Sequence, residues 1–367
     1  MTKSNIVNFK RPLGELVIDQ KKIGELHPTY FIADIAANHD GDLEKAKELI
    51  FMAKEAGADA AKFQHFNAET IVSDVGFKSL GHQQSHQASW KKSVIEVYRE
   101  ASVSTDWTET LKATCDQAGI TFFTSPYDFD LLEHIDPYVP AYKIGSGDIT
   151  WIEMIERIAS KQKPYILATG ASSTDDVVRA VTTALAINPK LALLQCNTNY
   201  TGEIENMRFI QLNVLKTYRI MFPDMVLGLS DHTPGHATVL GAVALGARII
   251  EKHFTVDRSC SGPDHKFSMD SSSWREMVER TRELESALGT GLKKVEENEL
   301  QTVVLQRRAV CVTEDLESGH ILKKNDLCVL RPCPVGAVAA YQLKDLLGRK
   351  LRNAKLSGEY LTSIDYE

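Results

Sequence analysis

The sequence predicts an α/β fold, a closed (β/α)8 barrel of the TIM type followed by a small β-rich domain, on three observations. Eight short aliphatic or β-branched runs succeed one another between Tyr30 and Leu288, and helical patterns separate them. After Gly289 the chain changes to short β-prone pieces punctuated by glycine. Strands alternating with helices build parallel sheets, and eight such repeats in one run suit a closed barrel better than an open doubly wound sheet.

The strand candidates are 30–36, 58–64, 121–125, 141–145, 164–169, 191–196, 225–230 and 247–254. Between the first two, 43–56 places Leu43, Ala46, Leu49, Ile50 and Ala53 on one helical face, with Asp42 at the cap position and Gly57 past the end. Residues 174–186 repeat the pattern with Val177, Val178, Val181, Ala184 and Leu185 behind Ser173, and the Ala- and Leu-rich stretch from His236 to Leu245 predicts a helix between the last two strands.

Three segments stand outside this rhythm. Residues 1–29 form an extension whose short alternating runs from Val7 to Pro28 predict a hairpin plugging the barrel floor. Residues 65–104 make a long polar insertion after the second strand, on the strand-end face, where a substrate cover is expected. Its His82 and His86 read as solvated loop histidines sooner than as metal ligands. Beyond the barrel at 30–289, residues 290–306 read as a charged linker. Residues 307–367 read as a β domain with strands at 309–312, 327–330 and 361–364 and turns at Gly319, Gly336, Gly348 and Gly358. So small a domain has a marginal core of its own, so it is expected to lean on a partner surface.

A hydrophobic fraction of 43% with 25% charged residues is ordinary for a globular protein, and a net charge of -7 gives no general attraction to nucleic acid or anionic lipid. Any bound anion must be held by a local basic cluster. The six cysteines form no CxxC pair, which fits reduced thiols better than a disulfide framework or a zinc finger. With no apolar signal core or stretch of membrane length, the expected location is the cytoplasm.

Polar residues collect at the predicted C-terminal strand ends, the face on which barrel active sites are built. Asp34 and Asn38-His39-Asp40-Gly41 follow the first strand, Lys62 and Gln64 end the second, Thr124-Ser125-Pro126 the third, and Lys143 through Ser146 to Asp148 the fourth. Ala168-Thr169-Gly170 ends the fifth and Asn197-Thr198-Asn199-Tyr200 the sixth, while Ser230-Asp231-His232-Thr233 and Glu251-Lys252-His253-Phe254 close the last two. A lone histidine at a strand end is more often a hydrogen-bonded structural residue. Two on successive parallel strands open on the same face, so His232 and His253 point to one divalent ion, with Asp231, Glu251 and Asp264 nearby. Lys62 and Lys143 lie inside apolar strands and need anions. Two sources are open: internal ion pairs to Asp34 or Asp148, or a bound phosphate and carboxylate shared with Ser125, Ser146 and the backbone N–H groups around Gly145 and Gly147.

At this point the chain resembles the sialic acid synthase family, which includes N-acetylneuraminate, legionaminate and pseudaminate synthases. The motifs that carry the resemblance are Asn38-His39-Asp40-Gly41, Gly57 to Gln64, Tyr142 to Gly147, Gly228 to Thr233, Glu251 to Phe254 and Gly262-Pro263-Asp264. Arg307-Arg308, Leu330-Arg331-Pro332 and Leu347 to Lys350 are similar to that family's antifreeze-like (SAF, β-clip) domain. The resemblance implies condensation of phosphoenolpyruvate with an N-acetylmannosamine-type sugar to give a nine-carbon 2-keto-3-deoxy acid and phosphate, most directly as an N-acetylneuraminate or legionaminate synthase. It implies that His232 and His253 bind Mn2+ or Mg2+ and that Lys62, Lys143, Ser125, Ser146 and Ser230 grip phosphoenolpyruvate. Gln64, Asn199, Tyr200 and Asp264 are assigned to the sugar, and Asp34, Asp264 and His232 to the chemistry. It also implies a domain-swapped homodimer in which Arg331 reaches the sugar's acyl group in the neighbouring subunit. The family carries Glu where Asp34 stands, Ser in place of Ala168, and other residues at Thr198 and Thr201, with Pro at the latter.

Two other readings fit parts of the pattern. An aldolase or an isomerase on a metal-dependent barrel shares the fold and metal site, and a Schiff-base aldolase would instead use Lys62 or Lys143 as nucleophile. A carbohydrate-binding protein with an inactive barrel fits the antifreeze-like domain, but not the full set of Lys, Ser and His.

Overall fold

The computed structural model describes residues 10–81, 87–88 and 90–367, and the chain divides into two compact units at Gly289–Thr290. His82 and His86 fall outside the described residues.

The first unit opens with an antiparallel hairpin, β1 (Glu15–Ile18) and β2 (Lys21–Gly24). Eight strands follow: β3 (Tyr30–Asp34), β4 (Ala60–His65), β5 (Thr121–Pro126), β6 (Tyr142–Ile144), β7 (Tyr165–Ala168), β8 (Leu191–Cys196), β9 (Val226–Asp231) and β10 (Ile249–His253). They form one parallel sheet in the order β5-β4-β3-β10-β9-β8-β7-β6, and the end strands β5 and β6 lie side by side, so the sheet curls to a near-closed barrel. All eight expected strands are present within about two residues at each end. A helix follows every strand: α1 (Leu43–Glu55); the group α2 (Ala68–Ile71), α3 (Asp74–Ser79), α4 (Val94–Ala101) and α5 (Thr108–Ala118); then α6 (Phe129–Ile135), α7 (Ile152–Ser160), α8 (Thr174–Ile187), α9 (Val214–Met221), α10 (Ala237–Ala244) and α11 (Ser271–Leu288). Asp42 caps α1 by accepting from the amides of Glu44 and Lys45, and Ser173 with Asp176 forms a capping box on α8. The insertion expected at 65–104 as a polar loop contains three short helices among its described residues, because Asn67, Ser73 and Ser93 each supply an N-cap within it.

Strand alternation sorts the barrel into two cores. Phe31, Phe63, Phe122, Tyr142, Leu167, Leu193, Leu229 and Ile250 face the helices in the larger core. Tyr30, Ile32, Ala60, Phe123, Ile166, Leu194, Val226 and Ile249 face inward, where Leu16, Ile18 and Ile23 of the hairpin join them. The hairpin therefore contributes apolar side chains to the barrel's interior cluster, as expected of a plug. Inside it, a Cβ on Gly228 would lie 2.4 Å from the Ile249 carbonyl oxygen, so this point of β9 admits glycine alone.

The second unit, Thr290–Glu367, holds α12 (Leu300–Gln306) and an antiparallel pair, β11 (Ala309–Val312) and β12 (Leu327–Leu330), around an apolar cluster that includes Val310, Leu322, Leu346 and Leu361. The strand expected at 361–364 is not formed as such; the segment makes an isolated bridge at Thr362 to Ala337. Gly319, Gly336, Gly348 and Gly358 all take positive φ, as their turn positions require.

Candidate active site

Inward positions on the strands are two residues apart, and continuing each inward series to its C-terminal end changes apolar residues into chemical ones. Ile32 is followed by Asp34, Ala60 by Lys62 and Gln64, Ala141 by Lys143, Leu194 by Cys196, Gly228 by Ser230 and His232, and Ile249 by Glu251 and His253. Parallel register then sets them side by side. Asp34 lies between Lys62 and His253, and Ser230 between Cys196 and Glu251. They line a cavity of about 360 Å³ at the strand ends, together with Gln64, Ser146, Asp148, Tyr200 and Asp264.

Its floor is a buried charge network. Lys62 Nζ lies 2.6 Å from Asp34 Oδ2 and 3.6 Å from Glu251 Oε2, and Lys143 Nζ lies 3.4 Å from Glu251 Oε1. Ser230 Oγ donates to Glu251 Oε1 at 3.1 Å, and Gln64 donates to Asp34. Burial pulls the Lys62 ammonium pKa down, but the Asp34 and Glu251 carboxylates outweigh it and hold the value above normal. For Lys143 burial wins over Glu251 and the pKa falls. Glu251 is carried to about 2, its burial overcome by the two lysines, whereas burial, with the Glu251 charge, keeps Asp34 above the usual carboxylate range against the pull of Lys62.

Beside this floor stand the two histidines, their ring centroids 5.4 Å apart. Burial pushes both down to about 3, with His253 adding to the effect on His232 and Lys62 to that on His253, so both are neutral. His232 Nδ1 sits 3.0 Å from the Asn197 carbonyl, which fixes the proton there and leaves Nε2 as a lone-pair donor. His253 Nδ1 is buried without a hydrogen-bond partner, 3.9 Å from Asp264, and its Nε2 is 3.6 Å from Asp34. Tyr200 packs edge-on against His232 at 4.5 Å, and Phe267 against His253 at 4.8 Å. Two neutral imidazoles with unclaimed nitrogens suit a divalent cation. Among the described residues no group of three or more His, Cys, Asp or Glu is set to hold one, so water and substrate must supply the rest of any coordination shell.

Ten of the thirteen residues to which the resemblance gives a role line this cavity; Ser125, Asn199 and Arg331 are not among its lining. Ser125 is buried with its hydroxyl unsatisfied. The Asn199 side-chain oxygen accepts from Thr201 and Asn206 and so holds its own loop. Arg331, in the second unit, donates from Nε to the Gln306 carbonyl at 2.7 Å. Sequence reasoning passed over Glu251 as a shared counter-ion and Cys196 as a lining thiol; Asp148, expected as an ion-pair partner of a buried lysine, lines the cavity with its carboxyl raised to about 6 by burial. Asp264 is likewise raised, to about 7, chiefly by burial.

A near-closed parallel barrel with buried lysines, a paired imidazole site and carboxylates at its strand ends defines a barrel enzyme that works on anionic substrates. Residues 49–293 match the family model described as the NeuB family, and the chain belongs to that family. It is 34% identical to the N,N'-diacetyllegionaminic acid synthase of Legionella pneumophila, over 90% of this chain and 92% of that one. It is 33% identical to the N-acetylneuraminate-9-phosphate synthase of Homo sapiens, over 90% of each. A crystal structure of N-acetylneuraminic acid (sialic acid) synthetase from Leptospira borgpetersenii, in complex with citrate, superposes with a TM-score of 0.68 at 28% identity, covering 80% of this chain and 96% of that one.

Proposed function

We propose that this protein condenses phosphoenolpyruvate with an open-chain N-acylated mannosamine-type sugar and water, giving a nonulosonic acid and phosphate. The observation that carries this reading is the joint burial of Lys62 and Lys143 around Glu251 beside two neutral imidazoles, all at one set of strand ends. The lysines, with Ser230 and Ser146, offer charge-assisted and neutral hydrogen bonds to the phosphate and carboxylate of phosphoenolpyruvate. The enol carbon then bonds to the aldehyde carbon, water adds to the resulting oxocarbenium carbon, and the C–O bond to phosphate breaks. Asp34, beside Lys62, is the group positioned to exchange a proton with that water. Gln64, Tyr200 and Asp264 face the sugar. His232 and His253 would hold Mn2+ or Mg2+, which would supply Lewis-acid polarisation of the aldehyde oxygen. Arg331 of a second copy completes the acyl end of the sugar site in a swapped homodimer, its antifreeze-like domain stabilised by that docking.

The test is release of inorganic phosphate from phosphoenolpyruvate that depends on both Mn2+ and an acceptor sugar, with the product mass equal to the sum of acceptor, phosphoenolpyruvate and water less phosphoric acid. Absence of acceptor-dependent release across N-acylated mannosamines sinks the reading. The depressed pKa of Lys143 favours one competitor, a Schiff-base aldolase. Borohydride trapping of a keto acid on Lys143 would select it.

A further inference from the structure

One wall of the cavity differs in kind from its charged floor. Phe66, Ile71, Trp90, Val97, Tyr98 and Tyr127 line it, and all but Phe66 and Tyr127 come from the helical insertion after β4. Helix α4 places Val94, Val97, Tyr98 and Ala101 at i, i+3, i+4 and i+7, an apolar face. Part of that face joins neither barrel core. Ala101 forms a separate cluster with Phe66 and Ala37, against which Ile71, Tyr98 and Tyr127 pack. The Phe66 ring meets Tyr98 at 5.3 Å and Tyr127 edge-on at 6.0 Å. The insertion has thus built an aromatic surface that borders the cavity.

Charge is distributed to match. Among the described residues that line the cavity, the ammonium groups are Lys62 and Lys143, both within ion-pair reach of Glu251 on the floor. The titratable neighbours on the wall side are carboxyls, Asp148 and Asp264, which line the same cavity. Burial raises the phenol pKa values of Tyr98 and Tyr127; Asp264 and then Asp148 add to the first, Asp148 and then Asp34 to the second.

Resting on the condensation reading above, we propose that the wall seats a methyl group on the far carbon of the acceptor, as in a 6-deoxy sugar, and that the acceptor is not phosphorylated. A phosphate carried on the far carbon of the sugar would be desolvated against aromatic rings and carboxyls, with no cation to receive it among the described residues that line the wall. A methyl group there loses water on both surfaces and binds the better for it. The two relatives diverge on this point by name: one makes a 9-phosphate, the other an N,N'-diacetyl product. In such a condensation the six distal carbons, and anything attached to them, come from the acceptor. The wall sides with the second.

The full chain, with phosphoenolpyruvate and Mn2+, is given N-acetylmannosamine, its 6-phosphate, and a 2,4-bis(acylamino)-2,4,6-trideoxyhexose of the same ring configuration. We expect kcat/KM for the trideoxy acceptor to exceed that for the phosphorylated one by at least about tenfold. Tyr98→Ala should raise the KM for the trideoxy acceptor about tenfold while leaving the KM for phosphoenolpyruvate within about twofold. Val97→Lys, on the half-buried face of α4, should shift preference toward the phosphorylated sugar. Equal or better use of the 6-phosphate by the unaltered protein overturns the inference even while condensation itself stands. No turnover with any acceptor overturns the condensation reading and takes this inference with it.

Discussion

Lys62 Nζ and Asp34 Oδ2 lie 2.6 Å apart on adjacent strands, with both side chains almost wholly shielded from solvent. The internal ion pair weighed as one source of an anion for Lys62 is thus present, while Glu251 rather than Asp148 serves Lys143. A pair so placed is costly to half-remove, because the partner left behind keeps its charge without compensation.

Lys62→Met should therefore destabilise the fold by roughly 3–5 kcal/mol and weaken phosphoenolpyruvate binding. Combining it with Asp34→Asn should restore much of the stability but none of the activity. Urea denaturation of the two single variants and the double variant measures the coupling. Additive losses would show that the two charges do not sense each other.

His232→Ala and His253→Ala are each expected to abolish Mn2+-dependent turnover while the protein remains folded, since both imidazoles are neutral and carry nitrogens the protein does not use. The checks are metal-buffered assays beside circular dichroism. Near-normal activity in either variant would remove that histidine from the metal site.

Asp148 supplies a pH signature. Its carboxyl is raised from 3.8 to about 6 by burial. The folded state therefore holds its proton over a range in which the unfolded chain has released it. That contribution to stability is complete below about pH 4, falls as pH rises to about 6, and is absent above. Asp148→Asn should flatten this part of the stability curve, a difference on the order of 2 kcal/mol after allowing for partial exposure. Denaturant midpoints of the two proteins from pH 4 to 7 provide the measurement. Parallel curves would mean that the carboxyl titrates normally.

Arg331→Ala and His253→Ala, each inactive alone, should regain part of the activity when mixed under conditions of subunit exchange. In a swapped dimer one of the two sites escapes both changes. With exchange verified by mass spectrometry, activity that stays at the level of the separate variants would place Arg331's action within its own chain or outside the site altogether.

The barrel was legible because each strand is a short aliphatic run buried on both faces, and its exit from the apolar core is marked by a titratable or polar residue that burial obliges to find a partner. That rule exposed Lys62, Lys143, His232 and His253. Applied to Ile249-Ile250-Glu251, it also singles out Glu251. Ser125 shares the inward phase and pairs in register with the cavity-lining Gln64, yet it is buried and does not itself line the cavity, which phase alone does not reveal. The aromatic wall was illegible for another reason. Its residues are scattered from Phe66 to Tyr127 over two short helices and the segments between elements, and only their tertiary packing makes them one surface. The helices at 68–101 escaped notice because the longest has eight residues and the other two six and four, which leaves little periodic signal.

The hairpin that contributes Leu16, Ile18 and Ile23 to the interior cluster fills the end of the barrel opposite the strand-end cavity, so that cavity opens on one face alone among the described residues. Under the proposed condensation this one-sidedness would set an order of traffic: the smaller anion, drawn to the ammonium groups, would settle before the sugar, and phosphate would leave after the new acid.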